Sequence, residues 1–213
     1  MTTVKKTFWI AASLVFFLIV SPMRAVVGFF RICLQPGTND RFPLITAVYA
    51  EVLSTREEAL KRLLPDATEI TEQIQTLSPE QFQRVAEKAD IRLEPGLDER
   101  FHFFAAKKNG AVFRYAVQDT VHGKWGPISY MLALDPSGKV EDALILEYHE
   151  KRGRPVAKRR FLKQFIGKSS RDDLKIMRDI RSVTGASISS RGMTDGIRKL
   201  VFVFEEFYGA VKS

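Results

Sequence analysis

Between Arg181 and Ser190 the chain reads Arg-Ser-Val-Thr-Gly-Ala-Ser-Ile-Ser-Ser, which sets hydroxyls at Thr184 and Ser187 around two small residues, Gly185 and Ala186. A glycine there lets the backbone turn tightly and come close to a ligand. Ser189 and Ser190 are expected to cap a following helix, whose free N–H groups and dipole favour negative charge at its start. An anion esterified to Ser187, or hydrogen-bonded beside it, would be stabilised by that arrangement. The same residues also suit a loop that does no more than cap a helix. Other chemistry has little support. Cys33 is the single cysteine, which excludes a disulfide framework, a cysteine-based zinc or iron–sulfur site and two-cysteine haem attachment. His102, His122 and His149 lie too far apart to form a helical metal pair, and no Ser-His-Asp order or carboxylate pair stands out. Redox chemistry would therefore need an organic cofactor.

The elements that must position this segment are legible as patterns. Ser54 and Thr55 each have a glutamate three residues on, and an apolar face of Ala59, Leu60, Leu63 and Leu64 runs to Pro65, which predicts a capped helix. Ser78-Pro79-Glu80-Gln81 repeats the signature with proline at the first helical position. Alternation then predicts strands at Phe101–Ala106, Ala111–Gln118, Ile128–Leu134 and Val140–Tyr148, joined by short turns that make them antiparallel neighbours. Met193, Ile197, Leu200, Val201, Phe204 and Tyr208 recur at helical spacing after the serines. The expected fold class is α+β, an antiparallel sheet with helices packed on one face.

Length and composition set the frame. A chain of 213 residues with 45% hydrophobic residues holds one ordinary domain plus an appendage and is too apolar to be disordered. The net charge is +8, but residues 1–50 hold five basic groups and one acid, leaving 28 basic and 24 acidic groups beyond them. Lys5 and Lys6 precede an uncharged run from Thr7 to Met23, the pattern of a secretory signal and just short of the roughly 20 residues a bilayer span needs. A cleaved signal, with Val-Tyr-Ala50 as a cleavage site, and a retained anchor both fit. If the lysines stay cytoplasmic, the domain after residue 50 lies outside. Between Lys151 and Arg171 stand nine basic residues and no acidic one. That run is a solvated face, or it docks an acidic electron-transfer partner or anionic headgroups. Export argues against nucleic acid.

The segment TGASISS resembles the flavinylation motif of the FMN-binding domain family, which includes extracytoplasmic subunits of the Rnf complex and of the sodium-pumping NADH:quinone reductase. The resemblance continues through Gly123-Lys-Trp-Gly-Pro-Ile128, LDPSGKV, Tyr148-His-Glu-Lys-Arg-Gly153, and Phe161, Gln164, Phe165 and Gly167. It covers roughly residues 105–208. It implies FMN held as a phosphoester on Ser187, installed by a flavin transferase, and Thr184, Gly185, Ala186 and Ser190 are expected to bind the cofactor with it. Trp125 and Ile128 are expected beside the isoalloxazine ring, because a turn opening a strand can place apolar groups there, and core packing is the other reading of Trp125. Glu150, next to His149, is expected near the flavin or the loop, or in a solvated pair at the strand end. The family usually has aspartate where Arg181 stands here, and threonine is commoner than serine at the acceptor position.

The expected organisation is a signal peptide or membrane anchor with linker at 1–50, a helical amino-terminal extension at 51–104, and an FMN-binding domain at 105–213. The expected function is a membrane-associated, extracytoplasmic (periplasmic-side) flavoprotein passing electrons between membrane-bound or soluble redox partners, rather than a stand-alone enzyme. The rivals are a non-redox exported basic module binding a lipid or protein partner, with flavinylation lost, and an enzyme that reduces a small substrate through its flavin.

Overall fold

The computed structural model describes residues 51–149 and 155–209, and the expected export segment lies outside the described residues. Six strands form one antiparallel sheet in the order β1-β6-β5-β4-β3-β2: β1 (Glu51–Val52), β2 (Glu69–Thr76), β3 (Arg100–Lys108), β4 (Ala111–His122), β5 (Pro127–Leu134) and β6 (Val140–Tyr148). The helices are α1 (Arg56–Leu63), α2 (Pro79–Ala89), the short α3 (Arg159–Leu162) running into a 3-10 turn, and α4 (Ser187–Tyr208). The fold is α+β, as the patterns predict. Both early helices start on reciprocal capping boxes, Thr55 with Glu58 and Ser78 with Gln81. Each side chain answers a backbone N–H that the first turn cannot pair.

Three expectations are corrected. First, the helices are not confined to one face. Phe103, Val117, Tyr130, Leu132 and Ile145 meet α2 and α4, while the alternate residues Phe104, Ala116, Met131, Ala133 and Leu144 meet α1 on the opposite face. Every residue of β5 after Pro127 is buried, Ser129 among them, as expected of a strand covered on both sides. Second, the segment 51–104 also carries β1 and β2, besides the start of the expected strand β3. Strand β2 escapes notice because its isoleucines point the wrong way: Ile70 and Ile74 are exposed at the sheet edge, while the half-buried positions are Thr71, Gln73 and Gln75. The tyrosine hydroxyl of Tyr208 donates to Gln73 at 2.8 Å, which satisfies one of those inward amides. Third, α4 begins at Ser187, so Ser189 and Ser190 lie inside its first turn and are buried rather than capping it.

Helix α4 lies across β4 through two glycines on one face. A Cβ on Gly192 would sit 2.5 Å from the His122 carbonyl oxygen, and one on Gly196 would sit 2.3 Å from Val121 Cγ1 and 2.8 Å from the Tyr130 hydroxyl. Alanine is worth about 1 kcal/mol over glycine in a helix interior, yet overpacking typically costs about 1–3 kcal/mol. Contact wins at Gly196, because its neighbours are a buried valine and a tyrosine fixed by a hydrogen bond to Asp119. Gly196→Ala is expected to lower the melting temperature by about 2–8 °C, checked by thermal denaturation. An unchanged or raised value would mean the helix moves away from the sheet at no cost.

Candidate functional site

The loop before α4 is a tight turn. The Ala186 N–H donates to the Val183 carbonyl at 2.9 Å, and Gly185 occupies the third position at φ +80°, a conformation that a side chain would strain. Two buried serines anchor the turn from below. The Val183 N–H donates to Ser190 Oγ at 3.0 Å, and the Lys124 N–H donates to Ser189 Oγ at 3.3 Å. The second bond fastens the β4–β5 hairpin, Gly123–Gly126, to the start of the helix. Ser190, expected in the cofactor loop, thus shapes that loop from inside the protein.

Ser187 is left outside. It is exposed at the first position of a 22-residue helix whose amino end has no side-chain cap. The first turn therefore presents backbone donors and positive dipole to any anion there, worth about 0.3–1 kcal/mol at an exposed site. Thr184 and Gly185 are also exposed, and Ala186 is buried. A cavity of about 370 Å³ opens beside Ser187, lined by His122, Ile188, Arg191 and Asp195. Arg191 stands one helical turn from Ser187, on the same side of α4. Burial holds the Asp195 carboxyl above its usual range, against the opposing pull of Arg198 and Arg191. On the other side of the loop a second cavity, about 620 Å³, is lined by Thr184, Arg181, Gln164, Lys158 and Arg160.

Trp125 stands at the tip of the tethered hairpin, 43% exposed, with the Lys124 ammonium 5.1 Å from its ring centroid. Ile188, on the first turn of α4, is 57% exposed. Ile128 has no exposed surface and packs in the main core, so it supports the hairpin from within. His149 Nε2 lies 2.9 Å from Glu147 Oε1. Glu150 lies outside the described residues. Arg181 is held by its backbone: its N–H donates to Gln164 Oε1 at 2.9 Å, and Gln164 Nε2 donates to its carbonyl at 3.1 Å. Its side chain is exposed on the cavity wall. Asp179 does not stand in for an aspartate at position 181, since its carboxylate accepts the N–H groups of Leu174 and Lys175 and pairs with Lys168 at 3.0 Å.

Sequence reasoning missed Arg191, the hairpin tether through Ser189 and the Gln164 clamp. Arg191 had a signal in its i+4 spacing from Ser187. The other two join positions 65 and 17 residues apart and had none.

FMN needs donors for its phosphate charge and an apolar surface for its ring, and a phosphoester tether would in addition need an accessible hydroxyl. Ser187, the open helix end with Arg191, and the exposed Trp125 and Ile188 meet these requirements. Cavities of this size fall within the range of about 300–1,000 Å³ usual for small-molecule sites.

The chain is similar to a subunit of the proton-translocating ferredoxin:NAD(+) oxidoreductase complex of Clostridium ljungdahlii, 31% identical over 115 residues, which span 50% of this chain and 62% of that protein. It is also similar to the like-named subunit of the Na(+)-translocating ferredoxin:NAD(+) oxidoreductase complex of Acetobacterium woodii, 22% identical over 163 residues, 72% of this chain and 75% of that one. The model of the FMN-binding domain family matches residues 123–201, the stretch that runs from the tethered hairpin through the loop and into α4. Over those residues the chain is similar to the FMN-binding domain family.

Proposed function

We propose that this chain is a membrane-associated, extracytoplasmic flavoprotein that holds FMN as a phosphoester on Ser187 and carries electrons between redox partners. The observation that carries the proposal is one side chain in one place. In the stretch similar to the FMN-binding domain family, the tetrad hydroxyl stands exposed at the first position of an uncapped helix, beside a cavity. Both relatives are named as subunits of ferredoxin:NAD(+) oxidoreductase complexes, which supports an electron-carrying role within a membrane assembly. The amino-terminal 50 residues, with two lysines before an apolar run, would supply the signal or anchor. Among the described residues no helix is long and apolar enough to cross a membrane.

Bound FMN supplies the redox chemistry. The protein's residues hold and orient it. Ser187 Oγ forms the ester linkage, and a flavin transferase is the partner that installs it. The backbone donors of the first turn and Arg191 balance the phosphate charge. Gly185 keeps side-chain atoms off the loop, while Trp125 and Ile188 offer apolar surface to the ring. A tether suits an exported protein, which would otherwise lose a dissociable cofactor to dilution.

The test is intact mass and in-gel flavin fluorescence under denaturing conditions, on full-length protein co-expressed with a flavin transferase. The expected result is a fluorescent band carrying the mass of one FMN less water. A colourless protein of unmodified mass, with active transferase present, would overturn the proposal and leave a non-redox exported module.

A further inference from the structure

We infer that the cationic face formed by Lys158, Arg160, Lys163 and Arg181 is the docking surface for an acidic protein redox partner. This inference rests on the electron-carrier function proposed above and names the kind of partner it meets. Between Pro155 and Arg171 the chain has six basic residues and no acidic one. Two of the six are neutralised within the fold: Arg159 pairs with Asp142, and Lys168 pairs with Asp179 and Asp172. Lys158, Arg160 and Lys163 are exposed, as is Arg181 across the cavity, and none has a carboxylate partner among the described residues. None has an evident structural duty. Lys158 begins α3 without a side-chain capping bond, and Arg181 is held through its backbone.

Like charges gathered on one face repel, and among the described residues Arg159 and Lys168 are neutralised while these four have no carboxylate. Their position gives the openness a use. Three of them line the 620 Å³ cavity together with Thr184, three residues from Ser187. An acidic protein drawn to this face would sit alongside the loop that carries the proposed flavin. Charge of one sign at such a rim steers encounter over roughly a Debye length, about 8 Å at physiological salt. The phenylalanines of the segment, Phe161 and Phe165, are buried in the core. Among the described residues the segment therefore offers no aromatic platform for nucleic-acid bases, and Ile166 is its one exposed large apolar side chain.

The test uses the full-length flavinylated protein and two redox probes, a strongly acidic [2Fe–2S] ferredoxin and a basic cytochrome c. In stopped flow, reduced ferredoxin gives one electron to the flavin; in a second experiment the reduced flavin gives one to the cytochrome. The ferredoxin rate constant is expected to fall about tenfold or more between about 20 mM and about 500 mM salt. The variant Lys158→Glu/Arg160→Glu/Lys163→Glu, with Arg181 untouched, is expected to slow the ferredoxin reaction about tenfold at low salt and to speed the cytochrome reaction. Its flavin mass should be unchanged. Equal effects on both probes, or none, would overturn the inference. So would salt-sensitive binding to vesicles of phosphatidylglycerol and phosphatidylcholine that charge reversal abolishes while leaving ferredoxin kinetics intact. Sedimentation of ferredoxin with the protein, with or without flavin, separates the two claims. Association lost on charge reversal supports the docking surface even in a chain that carries no FMN, and absence of association overturns the surface alone.

Discussion

Ser187→Ala, co-expressed with a flavin transferase, is expected to emerge folded, non-fluorescent on a denaturing gel and at its unmodified mass. The effect is all or none, because the linkage needs an oxygen and alanine has none. Folding should be spared. Ser187 is exposed, its side chain caps nothing, and alanine is the best helix former for a first-turn position. Ser187→Thr keeps the hydroxyl and is expected to retain the flavin, which ties the loss to the oxygen rather than to disturbance of the loop. Thr184→Ala removes the other exposed hydroxyl of the tetrad and should leave the mass of the flavinylated protein unchanged. Flavin found on Ser187→Ala would move the attachment to another hydroxyl, and Thr184 is the nearest exposed one. A wild-type protein without flavin, in a strain that flavinylates other substrates, would instead point to Arg181. In that case Arg181→Asp is the substitution expected to restore the modification.

The sheet was legible in the sequence wherever turn chemistry and alternation agreed. Lys-Asn-Gly and Asp-Pro-Ser-Gly end strands where the structure ends them, and both capping boxes form. Strand β2 was not legible because it lies at an edge and buries polar residues, so its pattern carries no apolar stripe. The two-sided burial of β5 was written in its apolar run, broken by Ser129 alone after Ile128, but the matching face of α1 amounts to Ala59, Leu63 and Leu64. The tetrad could be located from residue types alone. Its support could not, because Ser189 and Ser190 look like caps until the helix is seen to start two residues earlier. The groups they hold, Lys124 and Val183, are chosen by tertiary contact. A side chain that accepts a hydrogen bond from a distant backbone leaves no periodic mark.

Lys199→Met is expected to cost about 3–5 kcal/mol of stability and to lower the melting temperature by about 10 °C or more. Its ammonium is buried between Asp98 and Asp119, at 2.9 Å from the latter, and Asp119 also accepts from the buried Tyr130 hydroxyl at 3.0 Å. Burial alone would lower the lysine's pKa, but attraction to Asp119 and the hydrogen bond to Asp98 outweigh it and hold it above the ordinary value. Burial, then the charge of Asp119, pushes the Tyr130 hydroxyl far higher. Methionine fills the space and removes the cation, which leaves two mostly buried carboxylates facing each other. A lysine whose pKa rises on folding stabilises the fold fully below its unfolded value, about 10.4, and loses that contribution as pH climbs through the folded one. The gap between wild type and variant should therefore hold across neutral pH and close only in strong alkali. Adding Asp119→Asn to Lys199→Met should recover part of the loss, since one orphaned charge is then gone. A double variant as unstable as the sum of the singles would show the network to be no more than adjacent side chains. Lys199 lies twelve residues along α4 from Ser187, about 18 Å at helical rise. Below its melting temperature the Lys199→Met protein should thus still take up flavin at Ser187, whereas failure to do so would mean that this buried charge network also sets the geometry of the helix start.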